Sequence, residues 1–340
     1  MLGSFIGLQA DLQHSPYAFI EFTNVNSELD KIFFFIFVAV MSGILNFTSR
    51  SLSFGSTSVS VEPLEKDPQK VPFVAWYVGE KLFYRSDACH CFEELEFFAK
   101  RTAGYKLSES GLELLSPEHL APVFLMWPHR RFNVRLSDAA KPEVPMMDGS
   151  SIPFFCEMRK FCGAPEELVF FDAPVHAEWD LGSDTAVYGH VRITPAETFE
   201  VEYVLDRNTA RDGYDLKSAA SVSIYSPENL YQIFMARTFI HQVELERAQA
   251  AGLLAGVDES CGLLLAAGDC AAQNSAYSPK FRIANEPAMH KILDLIGDLS
   301  FICPALPRVR IEITNGGHVS HRQIMEKIIP YVNAGIFTQV

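Results

Sequence analysis

The sequence predicts an α+β fold made of two similar sheet-and-helix layered domains packed together. Its 340 residues are enough for two ordinary domains, and 48% hydrophobic against 21% charged residues is typical of globular proteins. Strands and helices follow one another in a similar order in both halves, and residues 163–168 resemble a linker. We therefore predict domain I at residues 46–167 and domain II at residues 168–340.

Domain I is predicted to begin with strands. The segment Ser56–Val61 alternates polar and apolar residues, which is typical of a half-buried strand. The remaining predicted elements are two strands within residues 72–84, a short helix at Cys91–Lys100, a strand at Phe132–Leu136 and an amphipathic helix at Ile152–Cys162.

Domain II is predicted to mix the two kinds of element. Its predicted elements are a hairpin of Ala186–Thr194 and Thr198–Leu205, a helix at Thr238–Ala251, a helix at Pro287–Phe301, a strand at Arg308–Ile313 and a helix at Ser320–Ile329. The glycines that follow position 251 and precede His318 are typical of helix ends and loops.

The first 45 residues form an apolar extension that differs from the rest of the chain. The run Ile32–Met41 is wholly apolar but shorter than a comfortable membrane helix. Glu28 and Asp30 stand where a secretory signal would carry basic residues. Two interpretations stay open, a weak membrane-associating segment or sequence translated from upstream of a start at Met41, and we favour the second.

The overall charge and the cysteines restrict the class of partner and the compartment. A net charge of −14 argues against a nucleic-acid partner, because phosphate binding needs clustered Lys and Arg. The seven cysteines are odd in number and form no evident disulfide framework, so we predict a reducing, cytoplasmic location. Cys89-His90-Cys91 lacks the usual spacing of a structural zinc site.

The segment Met289–Leu299 carries the first candidate chemistry. On a helix, His290, Asp294 and Asp298 lie on one side, each four positions from the last. An imidazole and a carboxylate at this spacing can bind one metal ion, and Asp298 can orient a neighbouring group or relay a proton. The alternative is an ordinary amphipathic helix whose acids face water.

Three other stretches offer groups that would complete such a site. If His119 supplied a third ligand, a tetrahedral zinc would keep one position open for water, and Glu118 would lie close enough to take a proton from that water. His318 follows two glycines, which suit a loop that approaches a substrate, and Thr238 offers a hydroxyl for a developing oxyanion. Taken singly, each also fits capping, a plain turn or local hydrogen bonding.

Several collinear blocks together resemble the zinc-dependent UDP-3-O-acyl-N-acetylglucosamine deacetylases of lipid A biosynthesis. The blocks are Pro117-Glu118-His119-Leu120, residues 143–150, Ala236-Arg237-Thr238-Phe239 with Ala251-Gly252-Leu253, Asn285-Glu286-Pro287 leading into residues 290–299, and Gly317-His318. The likeness covers roughly residues 50–330, and the order and spacing of the blocks make coincidence improbable.

The resemblance implies a particular site and reaction. It implies two domains with a metal at their interface, Zn²⁺ or iron(II), bound by His119, His290 and Asp294. It also implies that Glu118 is the general base and that His318, held by Asp298, is the general acid. Thr238 would lie near the oxyanion, and Lys291 and Phe239 would contact the substrate. The reaction would remove an N-acetyl group to leave a free amine and acetate. The implied partner is a UDP-linked acylated amino sugar, with no nucleic acid, at most peripheral membrane association and a monomeric protein.

The sequence departs from the family pattern at several positions. The family's early Gly-Leu-His-Ser/Thr-Gly turn has no counterpart, because no histidine lies between His14 and His90. Met289 stands where the family usually has arginine, and the usual asparagine after the histidine loop is replaced around Ser320-His321. These changes alter the pocket walls and leave the catalytic groups in place.

Three hypotheses of function follow from this combination. The first is the lipid A pathway deacetylase, and the second is a diverged deacetylase of another N-acetylated sugar or nucleotide sugar. The third is a non-catalytic, metal-containing paralogue that binds nucleotide sugar. Retention of Glu118 and His318 argues against the third, because a purely structural metal needs neither.

Overall fold

The computed structural model describes residues 43–332, apart from 54, 66–71, 88, 100–102, 138–140, 184–185, 210–213, 256 and 267–279. The predictions for the apolar segment within residues 1–40 therefore lie outside the described residues. Within the described part, none of the helices has the length and apolar character that crossing a membrane requires.

Strands account for most of the regular structure. In chain order they are β1 (Leu45–Arg50), β2 (Ser56–Pro63), β3 (Phe73–Val78), β4 (Lys81–Arg85), β5 (Leu95–Ala99), β6 (Ala103–Leu107), β7 (Glu113–Leu115), β8 (Arg131–Leu136), β9 (Phe170–Asp172), β10 (Ala177–Ser183), β11 (Ala186–Pro195), β12 (Phe199–Thr209), β13 (Tyr214–Ile224), β14 (Phe239–His241), β15 (Leu263–Leu265) and β16 (Leu306–Thr314).

The α-helices are fewer and are concentrated in the second half. They are α1 (Ile152–Cys162), α2 (Pro227–Phe234), α3 (Gln242–Ala250), α4 (Glu286–Ile302) and α5 (His318–Ile328). Short 3-10 turns occupy Cys89–Glu94, Pro117–His119, Ala121–Met126, Glu259–Cys261 and Ile329–Tyr331.

Two larger sheets and two smaller ones organise these elements. The first sheet has the order β1-β2-β8-β3-β4, and the second has the order β10-β11-β16-β12-β13 with β9 added beside β16. The strands β5-β6-β7 form a small antiparallel sheet, and β14 pairs with β15 in parallel. Mixed helices and several separate sheets confirm the predicted α+β class, whereas the domain boundary at residues 167 and 168 stays a prediction.

Most of the predicted helices and strands are present within a residue or two of their predicted bounds. The predicted hairpin of Ala186–Thr194 and Thr198–Leu205 is wrong, because its two strands form but do not pair with each other. Strand β16 lies between β11 and β12, antiparallel to the first and parallel to the second. The alternate residues Val309, Ile311 and Ile313 of β16 are buried on one face, and pairing on both edges satisfies the backbone hydrogen-bonding groups of this strand. Local sequence patterns could not predict this insertion, because β16 lies far from β11 and β12 in the chain.

Two helix predictions are wrong in part. Residues 95–99 form strand β5, because the Phe97 ring packs edge-on against Tyr105 across the β5–β6 pair at 5.5 Å. The predicted helix at Thr238–Ala251 starts only at Gln242, because residues 239–241 pair with β15 instead. His241 then caps α3 by accepting a hydrogen bond from the Val243 backbone N–H at 3.4 Å.

Helix α4 is the buried element that joins the parts of the molecule. It packs against both 3-10 turns in residues 117–126 and also against α2, α5, β12 and β13. Near its end, Phe301 stacks on Tyr105 with ring centroids 4.3 Å apart and contacts Trp76 at 5.1 Å. Burial of this helix on all sides fixes the direction in which its polar side chains point.

A buried ion pair holds the start of α4. Glu286 is fully buried and accepts hydrogen bonds from the Arg237 guanidinium Nε at 2.8 Å and from the backbone N–H of Arg237 at 3.0 Å. The backbone N–H of Arg282 donates to its other oxygen at 2.7 Å. These bonds anchor residues 236–238 against the helix and so place the Ala236 carbonyl and Thr238 beside its first turns.

Candidate metal centre

Three buried side chains bring possible metal ligands to one point. His290 and Asp294, one turn apart on α4, meet His119 from the 3-10 turn of residues 117–119. The His290 Nε2 lies 3.1 Å and the His119 Nε2 3.6 Å from Asp294 Oδ1, and each of the three residues is at most 4% exposed. One ligand atom from each lies within 4.8 Å of the others, so one metal ion could contact all three.

The hydrogen bonding of His290 fits a cation at this point. Its Nδ1 lies 3.1 Å from the Ala236 carbonyl oxygen, which can only accept, so Nδ1 carries the hydrogen. Burial lowers the pKa of His290 and favours the neutral ring. The lone pair of Nε2 then points at the carboxylate oxygen of Asp294, and a cation between the two atoms makes that contact favourable. Metal-binding histidines commonly donate their other nitrogen to a carbonyl in this way.

Asp294 is held in its charged form. Burial opposes its charge, but the nearby His290 and Lys291 hold the pKa of this carboxyl well below its usual range. The Lys291 ammonium contacts Asp294 Oδ2 at 2.6 Å, so the carboxylate faces Lys291 with one oxygen and the two imidazoles with the other.

Local structure explains how the chain presents Glu118 and His119. Pro117 opens the short turn, and the Ser151 hydroxyl donates to the His119 carbonyl oxygen at 2.6 Å. Gly297 of α4 lies directly against the Glu118 backbone, where a Cβ on residue 297 would be 2.7 Å from the Glu118 carbonyl carbon. The absent side chain of Gly297 therefore allows the turn to approach the helix closely enough to complete the site.

A carboxylate and an imidazole flank the three candidate ligands. The Glu118 Oε1 lies 3.9 Å from His318 Nε2, and that nitrogen is also 3.9 Å from Asp294 Oδ2. Burial raises the pKa of Glu118. Burial opposes protonation of His318, but Asp298, Asp294 and Glu118 together raise the pKa of its imidazole to about 9. The pair thus places a proton acceptor and a proton donor on either side of one small space.

Asp298 makes the contact with His318 that the family resemblance implied, and makes a second one. Its Oδ2 lies 2.8 Å from His318 Nδ1 and also 2.8 Å from His321 Nδ1. Burial opposes the charge, but the two histidines lower the pKa of this carboxyl. The bond at Nδ1 leaves Nε2 of His318 directed at Glu118 and Asp294.

A cavity of about 570 Å³ adjoins this centre. Four predicted site residues line it, namely Thr238, Phe239, Lys291 and His318. A further stretch of its wall is apolar and comes from Leu245, Leu254, Val257 and Leu264. Its size and lining are those of a binding site for an extended, partly apolar molecule.

Two of the residues at this cavity make specific contacts with the centre. The Phe239 ring lies edge-on to His290 at 6.3 Å, and the Lys291 ammonium is 5.5 Å from the centre of the same ring.

The backbone of Thr238, at the cavity wall, donates to the Gly149 carbonyl oxygen at 2.6 Å and accepts from the Leu263 N–H at 2.7 Å. The role of Thr238 as an oxyanion contact stays a prediction.

The structure thus brings all the predicted site residues to one centre or to the cavity beside it. It adds His321, Tyr203 and the Ala236 carbonyl, which the sequence did not single out as functional groups. The spacing of His318 and His321, three residues apart on a helix, was the signal available for one of them. Tyr203 and Ala236 carry no such signal, because they reach the centre only through tertiary packing.

Two imidazoles and a carboxylate converge on one point, and a second carboxylate and a third imidazole flank them. Such a set of side chains is typical of mononuclear metal-dependent hydrolases. A model of the UDP-3-O-acyl N-acetylglycosamine deacetylase (LpxC) family matches residues 83–330, more than half of the chain. The chain belongs to this family of metalloenzymes, as a divergent member.

Similar proteins from several organisms carry the same family name. A UDP-3-O-acyl-N-acetylglucosamine deacetylase from Anaeromyxobacter dehalogenans is 29% identical over 196 residues, 55% of this chain and 57% of that protein. One from Synechocystis sp. is 26% identical over 226 residues, 66% of this chain and 76% of that protein. The Arabidopsis thaliana protein named "Probable UDP-3-O-acyl-N-acetylglucosamine deacetylase 1, mitochondrial" is 38% identical over 204 residues, 55% of this chain and 58% of that protein. The chain therefore spans little more than half the length of the first and third of these relatives.

Proposed function

We propose that this protein removes the N-acetyl group of UDP-3-O-acyl-N-acetylglucosamine, giving the free amine and acetate, as a step of lipid A biosynthesis. The observation that carries the proposal is the convergence of His119, His290 and Asp294 beside the flanking pair Glu118 and His318. Family membership and the names of the relatives support the substrate.

The proposed metal is zinc, held by the two imidazole Nε2 atoms and by Asp294. This set of nitrogen and carboxylate ligands suits zinc, and iron(II) is the second candidate. When bound there, such a metal supplies Lewis-acid polarisation and makes water a stronger nucleophile at neutral pH.

The protein's own groups would carry the protons of the reaction. Glu118 would accept a proton from the attacking water, and His318 would donate one from Nε2 to the leaving amine. Asp298 would hold the His318 ring through Nδ1, as their 2.8 Å contact supports. The 3.9 Å between Glu118 Oε1 and His318 Nε2 is too long for a direct hydrogen bond, so the two groups are not bonded to each other.

The cavity would bind the rest of the substrate. Thr238 would donate to the developing oxyanion, whereas Lys291 and Phe239 would contact the substrate at the cavity wall. The apolar wall beyond them, which includes Leu254 and Leu264, would bury the acyl chain. A partly polar and partly apolar cavity supports a substrate that has both a sugar and a lipid part.

The proposal predicts the metal content and the reaction of the purified protein. We expect about one equivalent of zinc or iron, and acetate release from UDP-3-O-acyl-N-acetylglucosamine that stops after chelation and returns when the metal is restored. Metal analysis and a coupled acetate assay measure both quantities. Bound metal without acetate release from this substrate would refute the lipid A assignment, and release from another N-acetylated sugar would support the diverged deacetylase instead.

Replacement of one proposed ligand tests the metal assignment by itself. We expect His290→Ala to weaken metal affinity by at least about 10- to 100-fold, the loss typical of removing even a residue that only orients a ligand. Competition with a chromogenic chelator measures this affinity without any assay of turnover. His190→Ala is the matched control, because His190 lies on β11, partly exposed, and bonds Asp180 and Glu178. Unchanged metal stoichiometry and affinity in the His290 variant would refute the ligand set.

The compartment and the oligomeric state stay predictions. The sequence predicts a cytoplasmic monomer with at most peripheral membrane association, whereas the name of the plant relative places that protein in mitochondria. Cell fractionation and light scattering of the purified protein test the two predictions separately.

A further inference from the structure

His321 is a buried titratable side chain that the proposed reaction does not use. It lies on α5, three residues after His318, and is completely buried. Its Nδ1 is 2.8 Å from Asp298 Oδ2, the same oxygen that His318 Nδ1 approaches at 2.8 Å. Its Nε2 is 3.3 Å from the Tyr203 hydroxyl. Both nitrogens of the ring therefore have partners inside the protein.

The chemistry of these contacts fixes their direction. A carboxylate oxygen only accepts, so both histidines carry their hydrogen on Nδ1. Burial lowers the pKa of His321 and favours its neutral ring, whose Nε2 accepts the Tyr203 hydroxyl hydrogen. The result is a chain of bonds that runs from Tyr203 through His321 to Asp298, where His318 meets it from the other side.

Asp298 has little else to fix the orientation of its carboxylate. Among the described residues, its second oxygen, Oδ1, is buried and accepts no hydrogen bond. The carboxylate is thus oriented by two bonds to a single oxygen, one from His318 and one from His321. If the second bond is removed, the carboxylate is free to rotate about its Cβ–Cγ bond, and the His318 ring can turn with it.

The elements that carry these groups are closely packed. Tyr203 is a fully buried residue of β12, and its ring stands edge-on to His321 at 6.1 Å. A Cβ on Gly316 would lie 2.8 Å from the Tyr203 hydroxyl oxygen and 2.7 Å from the Ser320 hydroxyl oxygen. The loop before α5 therefore lies directly against the Tyr203 hydroxyl, next to the helix that carries His321.

We propose that His321, supported by Tyr203, is a positioning residue that orients the Asp298 carboxylate so that His318 Nε2 stays directed at the reacting amide. The proposal rests on the proposed deacetylase function, because it gives His321 a role in orienting His318, the proton donor of that reaction. His321 does not touch the substrate cavity, so its effect on the reaction passes through Asp298. Its loss should therefore affect kcat and leave substrate binding and metal content almost unchanged.

The test compares His321→Ala with His321→Asn in the full-length, metal-loaded protein. The Asn side chain carries an N–H donor on Cγ, as the His Nδ1 does, so it retains the bond to Asp298 and loses only the one to Tyr203. We expect His321→Ala to lower kcat about 10- to 100-fold, the effect typical of residues that orient a functional group. KM and metal stoichiometry should stay near the values of the unchanged protein, and His321→Asn should recover most of kcat.

A readout that needs no turnover separates this proposal from the proposed function. Long-range ¹H–¹⁵N spectra of histidine-labelled protein report which ring nitrogen carries the hydrogen and whether that hydrogen is protected from exchange. We expect His318 to keep a hydrogen on Nδ1 in all variants, with that proton protected in the unchanged protein and in His321→Asn and rapidly exchanging in His321→Ala. If the protein releases no acetate, the function fails while these spectra still test the positioning.

Three outcomes would overturn the proposal. The first is wild-type kcat in His321→Ala, and the second is protection of the His318 proton in that variant. The third is an equal loss of kcat in the Ala and Asn variants together with a matching loss of thermal stability, which would indicate a merely structural role. If His321→Ala does not fold, His321→Asn and Tyr203→Phe decide, because both keep the donor to Asp298 and lose only the bond between residues 321 and 203. Both variants should keep most of kcat and the protection of the His318 proton, and a tenfold or larger fall in kcat or rapid exchange of that proton in either would contradict the proposal.

Discussion

Replacement of Glu118 by glutamine should lower kcat by about 10²- to 10⁴-fold, the contribution typical of a positioned general base. The amide has nearly the shape of the carboxylate but cannot take up a proton from water at neutral pH. Glu118 is 4% exposed, and its Oε1 faces His318 Nε2 at 3.9 Å across the space beside the proposed ligands. The change thus removes proton acceptance with little change in the packing around it.

The expected signature is the loss of turnover with the metal retained. Glu118 is not among the three residues whose ligand atoms converge, so metal stoichiometry should stay near that of the unchanged protein. Acetate release under saturating substrate and metal analysis of the same preparation measure the two quantities together. Substrate affinity, measured by calorimetry on the inactive variant, should change little.

Glu157→Gln is the matched control for this experiment. Glu157 is also a buried carboxylate, but it lies on α1 and pairs with Lys160 at 2.6 Å, away from the residues that line the cavity. We expect this variant to retain its kcat and to show at most a loss of stability. If Glu118→Gln kept full turnover, the proposed mechanism would be wrong for any substrate.

The part of the centre that lies on one helix could be predicted from the sequence. His290, Asp294 and Asp298 follow one another at four-residue spacing, and a helix converts that spacing into a common direction without any help from the rest of the chain. The contact of Asp298 with His318 and the approach of His119 were predicted only through the resemblance to a family. Local patterns carry no information on which distant segments meet.

The parts that the sequence did not predict depend on tertiary contacts. Strand β16 lies between β11 and β12. Its alternating apolar residues predict a strand with one buried face, but they do not indicate which strands it pairs with. Tyr203 reaches His321 from β12 across 118 residues of sequence, and nothing in either segment alone marks the pair. Residues 239–241 form a strand because β15 supplies a partner and because Phe239 and Ile240 favour strands, a local preference that the prediction of one long helix overrode.

The second large prediction concerns Gly297, where helix α4 contacts the turn that carries Glu118 and His119. It lies on α4 between Asp294 and Asp298, and its Cα faces the backbone of Glu118. A Cβ at this position would be 2.7 Å from the Glu118 carbonyl carbon, 2.8 Å from its Cα and closer still to its carbonyl oxygen. Because these are backbone atoms of a buried turn, no side-chain rotation can relieve the overlap.

We therefore expect Gly297→Ala to damage both stability and the site. Alanine favours an isolated helix by about 1 kcal/mol over glycine, so propensity alone predicts stabilisation. Overpacking of a close contact typically costs about 1–3 kcal/mol, and we expect this cost to exceed the gain. The free energy of unfolding, measured in urea, should fall by up to about 2 kcal/mol.

The added methyl group should also lower activity, because it pushes away from α4 the turn that carries Glu118 and His119. A shift of about 1 Å in a catalytic group can cost about 10²-fold in rate, so we expect kcat to fall by about that factor, with weaker metal binding. Ser300→Ala is the control on the same helix, because it removes a buried hydroxyl that bonds the Gly297 carbonyl at 3.2 Å and introduces no overlap. It should lose about 1 kcal/mol of stability and keep its metal and turnover. A Gly297→Ala variant that was stabilised and fully active would mean that the turn and the helix do not need this close approach, and that the placement of Glu118 and His119 has another cause.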